Sequence, residues 1–380
     1  MDHRTAVESA HKVAKEVLAP SAHDHDKNGT FNTAAVEALG AGGLLALNVP
    51  VAHGGQGLGP RAFADVVAIL AETDASVAMV YKMHVCAVQC LVTFAERSAD
   101  AKAALGEIAK GRHLSTLAFS EKGSRSHFWA PVSKATRSGD GFMLNAAKSW
   151  VTSAGHADSY IVSSQLPDAK APTESGLWMM AKGAAGYRVA DKWDALGMRA
   201  NASSPVTIEG CALPASALLT NEGFKAMLEV VLPWFNLGQA AVALGLCRAS
   251  VAATANHLKT SRFEHLGVSL GEALPNLRAS LATMQIETDG LAARVADTCT
   301  HLETPGDLTM LRVLEAKAAA GETAIQVTQL AMRTCGGAAF SRHTSIERFF
   351  RDAQAGAVMA PTGDVLRDFI GKALLGIPLF

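Results

Sequence analysis

The spacing of apolar residues changes twice along the chain, near residues 113 and 222, and this change limits the folds open to it. Before residue 113 the apolar residues repeat with helical spacing. Short apolar runs such as "YIVSSQ" and "VTIEG" then alternate with turn-forming clusters, which is typical of strands. Long Ala-rich helical segments follow. The pattern predicts an α+β fold with an α-helical domain over residues 1–112, a β domain over 113–222 and a helical bundle over 223–380.

Local signals predict where several helices begin and end. We expect the first helix to stop at Pro20, because proline interrupts the hydrogen-bond ladder of a helix. Asp74 or Ser76 is a candidate N-cap for the helix that follows "ETDAS". The pair Gly336–Gly337 is typical of a helix C-terminus. The segment "TSIE", residues 344–347, has the spacing of a capping box.

Charge and hydropathy exclude several classes of protein. The formal net charge is −1 and no long run of Lys or Arg occurs, so nucleic-acid binding is disfavoured. No uninterrupted apolar stretch reaches the ~18 residues of a membrane span, and the N-terminus has no apolar signal core. We therefore expect neither membrane insertion nor secretion, and a cytoplasmic location.

The cysteines support the same location and do not indicate a metal. The 6 cysteines are scattered, with no CxxC pair, which suits a reducing compartment. Cys86 and Cys90 lie one helical turn apart, just after His84. A metal site is conceivable there, but two buried helix cysteines explain the spacing better, and we predict no metal site.

Two segments place hydroxyls and free backbone N–H groups at strand ends. These are "LAFSEKGSRSH" (117–127) and "KSWVTSAGHAD" (148–158), and the second sets Trp150 among small polar residues. Such groups can hydrogen-bond the edge of a planar ring while the indole covers a face. The alternative interpretation is that both segments are ordinary hairpin ends and that Trp150 is simply half-buried. By contrast, "GGQGLGP" (54–60) lacks the GxGxxG spacing, and a surface turn before a helix explains it.

Several motifs, in order, resemble the acyl-CoA dehydrogenase family across nearly the whole chain. "LGAGGLLALNVPVAHGGQGLG" is similar to the family's "LGxLGLLGLxVPExYGGxGL", and "SWVTSAGHAD" is similar to "xWITNGGxAD". "GGAAFSRHTSIERFFRDA" resembles "GGxGYxxxxxxERxxRDA". The resemblance implies an N-terminal α-helical domain, a middle β domain and a C-terminal four-helix bundle.

The resemblance also implies an FAD site. Trp150 would pack against the isoalloxazine ring and Thr152 would hydrogen-bond near N5, with Ser153 in the same segment. Phe119 and Ser120 would contact the pyrimidine edge, and Ser126 would approach the pyrophosphate.

Further FAD contacts would come from the helical domain, in part from a second subunit. Arg262 lies near the family's arginine that reaches a neighbouring subunit's FAD, and Gly336 and Gly337 match its adenine-side turn. Thr362 matches the Thr after the catalytic segment. Shared sites imply a homotetramer, or at least a dimer.

The chain departs from the family where the catalytic base belongs. Most members carry a glutamate in "YEGT", and here the stretch reads "MAPT", with Ala360 at the glutamate position. Some branches place the glutamate at the start of a bundle helix, where this chain has Phe235. Asn236 and Pro233 replace the charged residues that assist coenzyme A recognition, which weakens that inference.

Substitute groups for the base are few. His84 is the best candidate, and a hydrogen-bonded structural histidine is its alternative. Lys82 could hold an acidic substrate tail, or be a solvated lysine. Glu121 matches a loop residue of the family rather than the base. Asp364 would face elsewhere if a helix starts there.

The sequence is compatible with three functions. The first is an FAD-dependent oxidoreductase acting on an acyl thioester, such as acyl-CoA, by non-standard chemistry. The second is a flavin-dependent monooxygenase on the same fold, with an apolar lining at Phe235, Met359 and Ala360 that excludes water. The third is a catalytically silent FAD-binding protein, against which the intact flavin segments argue.

Overall fold

The helical periodicity of the first part of the chain forms a cluster of helices around one long buried helix. The computed structural model describes residues 1–379. Its N-terminal helices are α1 (His3–Val13), α2 (Ala19–Asn28), α3 (Thr33–Ala41), α4 (Pro60–Thr73), α5 (Ala75–Phe94) and α6 (Ala99–Ala109). Asp74 is the N-cap of α5, since its carboxylate accepts hydrogen bonds from the N–H groups of Ser76 and Val77. The loop over residues 54–59 precedes α4 as a turn, as predicted.

The prediction that the first helix stops at Pro20 is wrong. A π-helical turn, Ala14–Leu18, joins α1 directly to α2, and Pro20 lies in the first turn of α2. Pro20 occupies one of the first two positions of α2, directly after the wider π-helical turn, and proline is favoured at such positions. The helical path therefore continues through Pro20.

Two four-stranded sheets form the middle of the chain. The strands are β1 (Ser115–Ala118), β2 (Thr136–Ser138), β3 (Gly141–Val151), β4 (Ser159–Gln165), β5 (Ser175–Ala181), β6 (Tyr187–Val189), β7 (Ser204–Leu213) and β8 (Leu218–Thr220). One sheet has the order β1-β4-β5-β8, with β1 and β4 parallel. The other has the order β2-β3-β7-β6 and is antiparallel throughout.

Long helices return after the last strand of the sheets. They are α7 (Gly223–Ala226), α8 (Leu232–Thr260), α9 (Leu270–Ala273), α10 (Pro275–Glu303), α11 (Thr309–Cys335), α12 (Gly337–Phe340), α13 (Ile346–Val358) and α14 (Gly363–Leu375). A π-helical turn, Met227–Val231, links α7 to α8, and the short pair β9 (Arg262–Phe263) and β10 (Val268–Ser269) follows α8. The predicted order of helices, sheets and helices is confirmed.

The predicted capping box at 344–347 is wrong. Ser345 is the N-cap of α13, but its side chain accepts no capping hydrogen bond. Glu347 instead pairs with Arg351, whose Nε lies 2.6 Å from the carboxylate. Arg351 also binds Asp26 in α2 at 2.6 Å, so a tertiary ion-pair network takes the glutamate that the local pattern assigned to the cap.

Two helical segments are apolar and long enough to cross a membrane, Ala75–Phe94 and Gly223–Thr260. In each, 83% of the most apolar window is buried inside the fold. Both therefore have the character of core helices, and α5 packs against α4, α8 and β1.

Close packing of α4 on α8 requires a residue without a side chain. A Cβ atom added at Gly245 would lie 2.3 Å from the carbonyl oxygen of Ala68 and 2.6 Å from the Cβ of Ala71. At the exposed Gly290 in α10, an added Cβ would meet nothing within 4 Å. Gly245 is therefore required by the packing of α4 on α8, whereas Gly290 is not required by any contact.

We expect Gly245→Ala to lower the free energy of unfolding by about 1–3 kcal/mol, because the methyl group forces α4 and α8 apart. Gly290→Ala is the matched control and should raise it by roughly 0.5–1 kcal/mol through better helix propensity. Urea unfolding followed by circular dichroism measures both. An unchanged or increased stability for Gly245→Ala would contradict the packing described here.

Candidate active site

A cavity of about 1000 Å³ lies between the sheets and the C-terminal helices. Its sheet side is formed by residues at the ends of β1 and β3 and by the loop before β7. Its helical side is formed by α5, the start of α8 and the segment from α13 to α14. The predicted residues that line it are Phe119, Ser120, Ser126, Trp150, Thr152, Phe235, Met359, Ala360 and Thr362.

A β-bulge turns Trp150 out of the sheet. The pairing of β3 with β7 shifts by one residue between Lys148 and Val151, and Trp150 adopts φ 56° within the shift. That left-handed backbone costs a non-glycine residue about 1–3 kcal/mol and tends to occur at functional sites. The indole is 65% exposed and contacts Trp193 edge to face, with ring centroids 5.7 Å apart. The bulge thus presents a flat aromatic surface at the cavity.

Thr152 and Ser153 follow Trp150 in the chain, and of these two residues Thr152 lines the cavity and Ser153 does not. The Thr152 Oγ1 lies in the cavity wall, 3.0 Å from the hydroxyl of Ser203. Ser153 adopts φ 60° in the turn after β3, and its hydroxyl is buried with no hydrogen-bond partner within residues 1–379. Ser153 does not line the cavity, so its contact with a cofactor stays a prediction.

A buried ion pair fixes the loop that carries Ser120 and Ser126. The Lys148 ammonium lies 2.6 Å from the Glu121 carboxylate, which also accepts hydrogen bonds from the N–H groups of Val132 and Ser133. Burial opposes ionisation of Glu121, but Lys148 and these donors outweigh it and hold the pKa of the carboxyl below its usual value. Glu121 is therefore structural, as its place in the sequence motif predicts.

On the opposite wall, hydrogen bonds hold the segment around Ala360 in place. Lys317 of α11 donates hydrogen bonds to the carbonyl oxygens of Met359, at 2.9 Å, and Pro361, which fixes the segment around Ala360. The Ser126 hydroxyl donates to the Thr362 Oγ1 at 3.1 Å and joins this segment to the sheet side. Sequence reasoning missed Lys317, which is 2% exposed.

The cavity has no free carboxylate within residues 1–379. Glu121 carries the one carboxylate among the lining side chains, and its oxygens are occupied as described. Asp364 is exposed in the first turn of α14 and does not line the cavity, as predicted. A base of the kind that removes a proton next to a thioester carbonyl is therefore missing from the described wall.

His84 does not reach the cavity. It is fully buried in α5, its Nε2 lies 2.9 Å from the carbonyl oxygen of Leu45, and its Nδ1 accepts a hydrogen bond from the N–H of Ser115. Both ring nitrogens are therefore engaged by backbone groups. The geometry matches the structural alternative for His84 and not the catalytic one.

Other predicted residues lie away from the cavity. Arg262, Gly336 and Gly337 are exposed at the ends of helices and do not line it, so their contribution to a neighbouring subunit stays a prediction. The alternative of a solvated Lys82 is wrong, because this side chain is 0% exposed.

Trp193 was also missed, although the sequence carried a signal for it. It lines the cavity beside Trp150, and its Nε1 donates to the carbonyl oxygen of Met198 at 2.9 Å. Like Trp150, it stands among polar and small residues, in "DKWDALG". An isolated indole among small and polar residues therefore marks the cavity wall at both positions.

Sequence models of one family match three consecutive parts of the chain. They describe the acyl-CoA dehydrogenase N-terminal domain over residues 1–112, the middle domain over 116–211 and the C-terminal domain over 221–375. The chain belongs to the acyl-CoA dehydrogenase family and is thus a flavin-dependent oxidoreductase.

Individual relatives agree with this assignment. The probable acyl-CoA dehydrogenase FadE25 of Mycobacterium tuberculosis (strain ATCC 25618 / H37Rv) is 26% identical over 96% of this chain and 92% of its own length. Butyryl-CoA dehydrogenase from Megasphaera elsdenii superposes with a TM-score of 0.91, at 23% identity over 99% of this chain and 100% of that one. PigA, solved with FAD and proline, gives a TM-score of 0.89 at 20% identity, over 99% of this chain and 100% of its own.

The buried state of His84 makes stability depend on pH. Burial lowers the pKa of His84 to about 4. Between about pH 6.5, the ordinary pKa of histidine, and about pH 4, His84 binds a proton more readily in the unfolded chain than in the folded protein. The free energy of unfolding therefore falls as the pH falls through this range. We expect His84 to contribute a loss of about 2 kcal/mol between pH 7 and pH 5.

Urea unfolding of the wild type and of His84→Gln at both pH values tests this. Glutamine keeps a hydrogen-bonding amide at the site but does not titrate, so the variant should show a flatter pH dependence. Burial lowers the pKa of His113 and His156 as well, and their contribution to the pH dependence of stability is the same in the wild type and the variant. Identical pH dependence in the two proteins would refute the structural role of His84.

Proposed function

We propose that the protein is an FAD-dependent enzyme that acts on an acyl thioester held in the cavity, without a carboxylate base at position 360. The observation that carries the proposal is the composition of the cavity wall. A flat exposed indole and a hydroxyl stand on one side, Phe235, Met359 and Ala360 stand on the other, and the described wall has no free carboxylate.

The residues fit a flavin on physical grounds. Trp150 exposes an indole on strained backbone at the cavity, and covering that surface recovers free energy. Lys122 and Arg125 are exposed cations beside Ser126, suited to the phosphates of a dinucleotide. Trp150, Thr152, Phe119, Ser120 and Ser126 would hold the cofactor. When bound, FAD would supply a two-electron acceptor.

Family membership supports a thioester substrate, and the missing base limits the chemistry. Acyl-CoA is the expected substrate class, and a carrier-protein thioester fits the same wall. A reaction that needs no strong base, because the proton is already acidic or a leaving group departs, suits this cavity. The second candidate is an oxygenase that uses O₂, favoured by the same apolar, carboxylate-free wall.

Trp150→Ala should weaken FAD binding by about tenfold to a hundredfold in Kd, because the ring loses on the order of 1–3 kcal/mol of apolar contact. Trp150→Phe keeps a smaller aromatic face and should retain most of the affinity. Fluorescence titration of the apoprotein with FAD measures all three proteins. Equal affinity of Trp150→Ala and wild type would contradict the placement of the ring.

Ala360→Glu tests whether the missing base is the whole difference from a dehydrogenase. Under anaerobic conditions butyryl-CoA should bleach the flavin absorbance of this variant about a hundredfold faster than that of the wild type, since a positioned base contributes ~10²–10⁴. Ala360→Gln has the same shape without the base and is the control.

The outcomes separate the candidate functions. Bleaching of the wild type by an acyl thioester supports the thioester enzyme. Substrate-dependent oxygen consumption, once the flavin is reduced by other means, supports the oxygenase. An FAD-loaded protein that shows neither bleaching nor oxygen consumption would contradict both candidate functions. Equal rates for the Glu and Gln variants would show that position 360 is not where the base is needed.

A further inference from the structure

Two buried ammonium groups lie behind the apolar wall of the cavity. Lys82 and Lys317 are 0% and 2% exposed, and their Nζ atoms lie 3.8 Å and 6.0 Å from the centre of the Phe235 ring. Within residues 1–379 neither forms an ion pair with a carboxylate. Burying a charge without a counterion is costly, so the burial of these two lysines requires an explanation.

The two lysines are not equivalent. Lys317 is engaged by the carbonyl oxygens of Met359 and Pro361 and has a structural role. Lys82 donates one hydrogen bond, to the Oε1 of Gln239 at 2.9 Å, and its Nζ otherwise faces the Phe235 ring. An ammonium group has three donors, so Lys82 retains hydrogen-bonding capacity that the described residues do not use.

A second polar group beside Phe235 is also unpartnered. Asn236 is 0% exposed, and neither its Nδ2 nor its Oδ1 has a hydrogen-bond partner within residues 1–379. Asn236 and Gln239 are three residues apart on α8 and lie near each other on that helix. Lys82, Asn236 and Gln239 form what we call the polar cluster.

One aromatic ring separates the polar cluster from the cavity. Phe235 lines the cavity on one side and covers the Lys82 ammonium on the other. Met79 and Met83, which flank Lys82 on α5, line the same cavity. A change of the Phe235 rotamer is therefore the movement that would expose the ammonium to a ligand.

The position within the cavity selects the kind of ligand. The exposed cations Lys122 and Arg125 line the cavity in the loop that carries Ser126, which suits phosphates. Met79, Met83, Met359 and Ala360 line the cavity together with Phe235, and we expect an acyl chain to lie against these apolar side chains. An anion that reaches Lys82 would thus be carried on the acyl chain, and a carboxylate is small enough to fit one ammonium and one amide.

We propose that the polar cluster binds a carboxylate on the acyl chain of the substrate, admitted when Phe235 turns aside. The inference rests on the proposed function, since it assumes a thioester in the cavity, and it narrows the substrate to carboxylated acyl thioesters. Burial lowers the pKa of Lys82 to about 7, which agrees with an ammonium that lacks its counterion in the free protein.

The test compares two thioesters of equal chain length on the FAD-loaded protein. Succinyl-CoA carries a terminal carboxylate and butyryl-CoA does not, and each is titrated by its perturbation of the flavin visible spectrum. We expect succinyl-CoA to bind at least tenfold more tightly to the wild type. Lys82→Met has a similar shape without charge and should abolish the preference, so that the two thioesters bind this variant with Kd values within about twofold of each other.

Lys102→Met, which removes an exposed lysine from α6, is the matched control and should keep the preference. Gln239→Leu is a second variant that keeps the test valid if the Lys82→Met protein does not fold. It should reduce the preference, because it removes the acceptor that orients the Lys82 ammonium. A retained preference in both Lys82→Met and Gln239→Leu would overturn the assignment.

The remaining outcomes distinguish this inference from the proposed function. Equal binding of the two thioesters to the wild type would overturn the inference and leave the thioester function standing. No perturbation by either one would contradict the proposed function and the inference with it. Slower flavin reduction by butyryl-CoA in Lys82→Met, at unchanged affinities, would assign Lys82 to proton transfer and overturn carboxylate binding.

Discussion

One buried ammonium group, that of Lys148, holds together the sheet side of the cavity. It contacts the Glu121 carboxylate at 2.6 Å and the carbonyl oxygens of Ser163 at 2.5 Å and Phe119 at 3.3 Å. It thereby joins β3, β4 and the end of β1, while Glu121 carries the connection on to Val132 and Ser133. Because removing either partner would leave a buried charge unpaired, the pair fixes the loop from which Ser120 and Ser126 face the cavity.

The helical side is organised by cations in a different way. Lys317 binds two carbonyl oxygens and keeps the segment around Ala360 in place, and Lys82 lies under Phe235. Both lysines therefore lie beside the positions from which the family's usual carboxylate is missing. This arrangement is the basis for our inference that negative charge in this part of the site belongs to the substrate.

The sequence was sufficient for the order of domains and for the exposed Trp150, because periodicity and an isolated indole are local signals. The burial of Lys82 was not foreseen, although α5 is apolar all round and offers no polar face on which a lysine could lie. The absent capping box at Glu347 could not be foreseen, because its competitor, Arg351, is oriented by Asp26, which is distant in sequence. The continuation of the first helix past Pro20 depends on a π-helical turn that no residue pattern announced.

The central claim is that a flavin ring lies against Trp150 and Thr152 in a cavity without a free carboxylate. A crystal structure of the protein with FAD tests it most directly. The account predicts the isoalloxazine on the Trp150 indole, with Glu121 still paired to Lys148 and no carboxylate oxygen within hydrogen-bonding distance of N5 or of the space above it. A ring bound elsewhere, or a carboxylate from any part of the assembly beside N5, would contradict it.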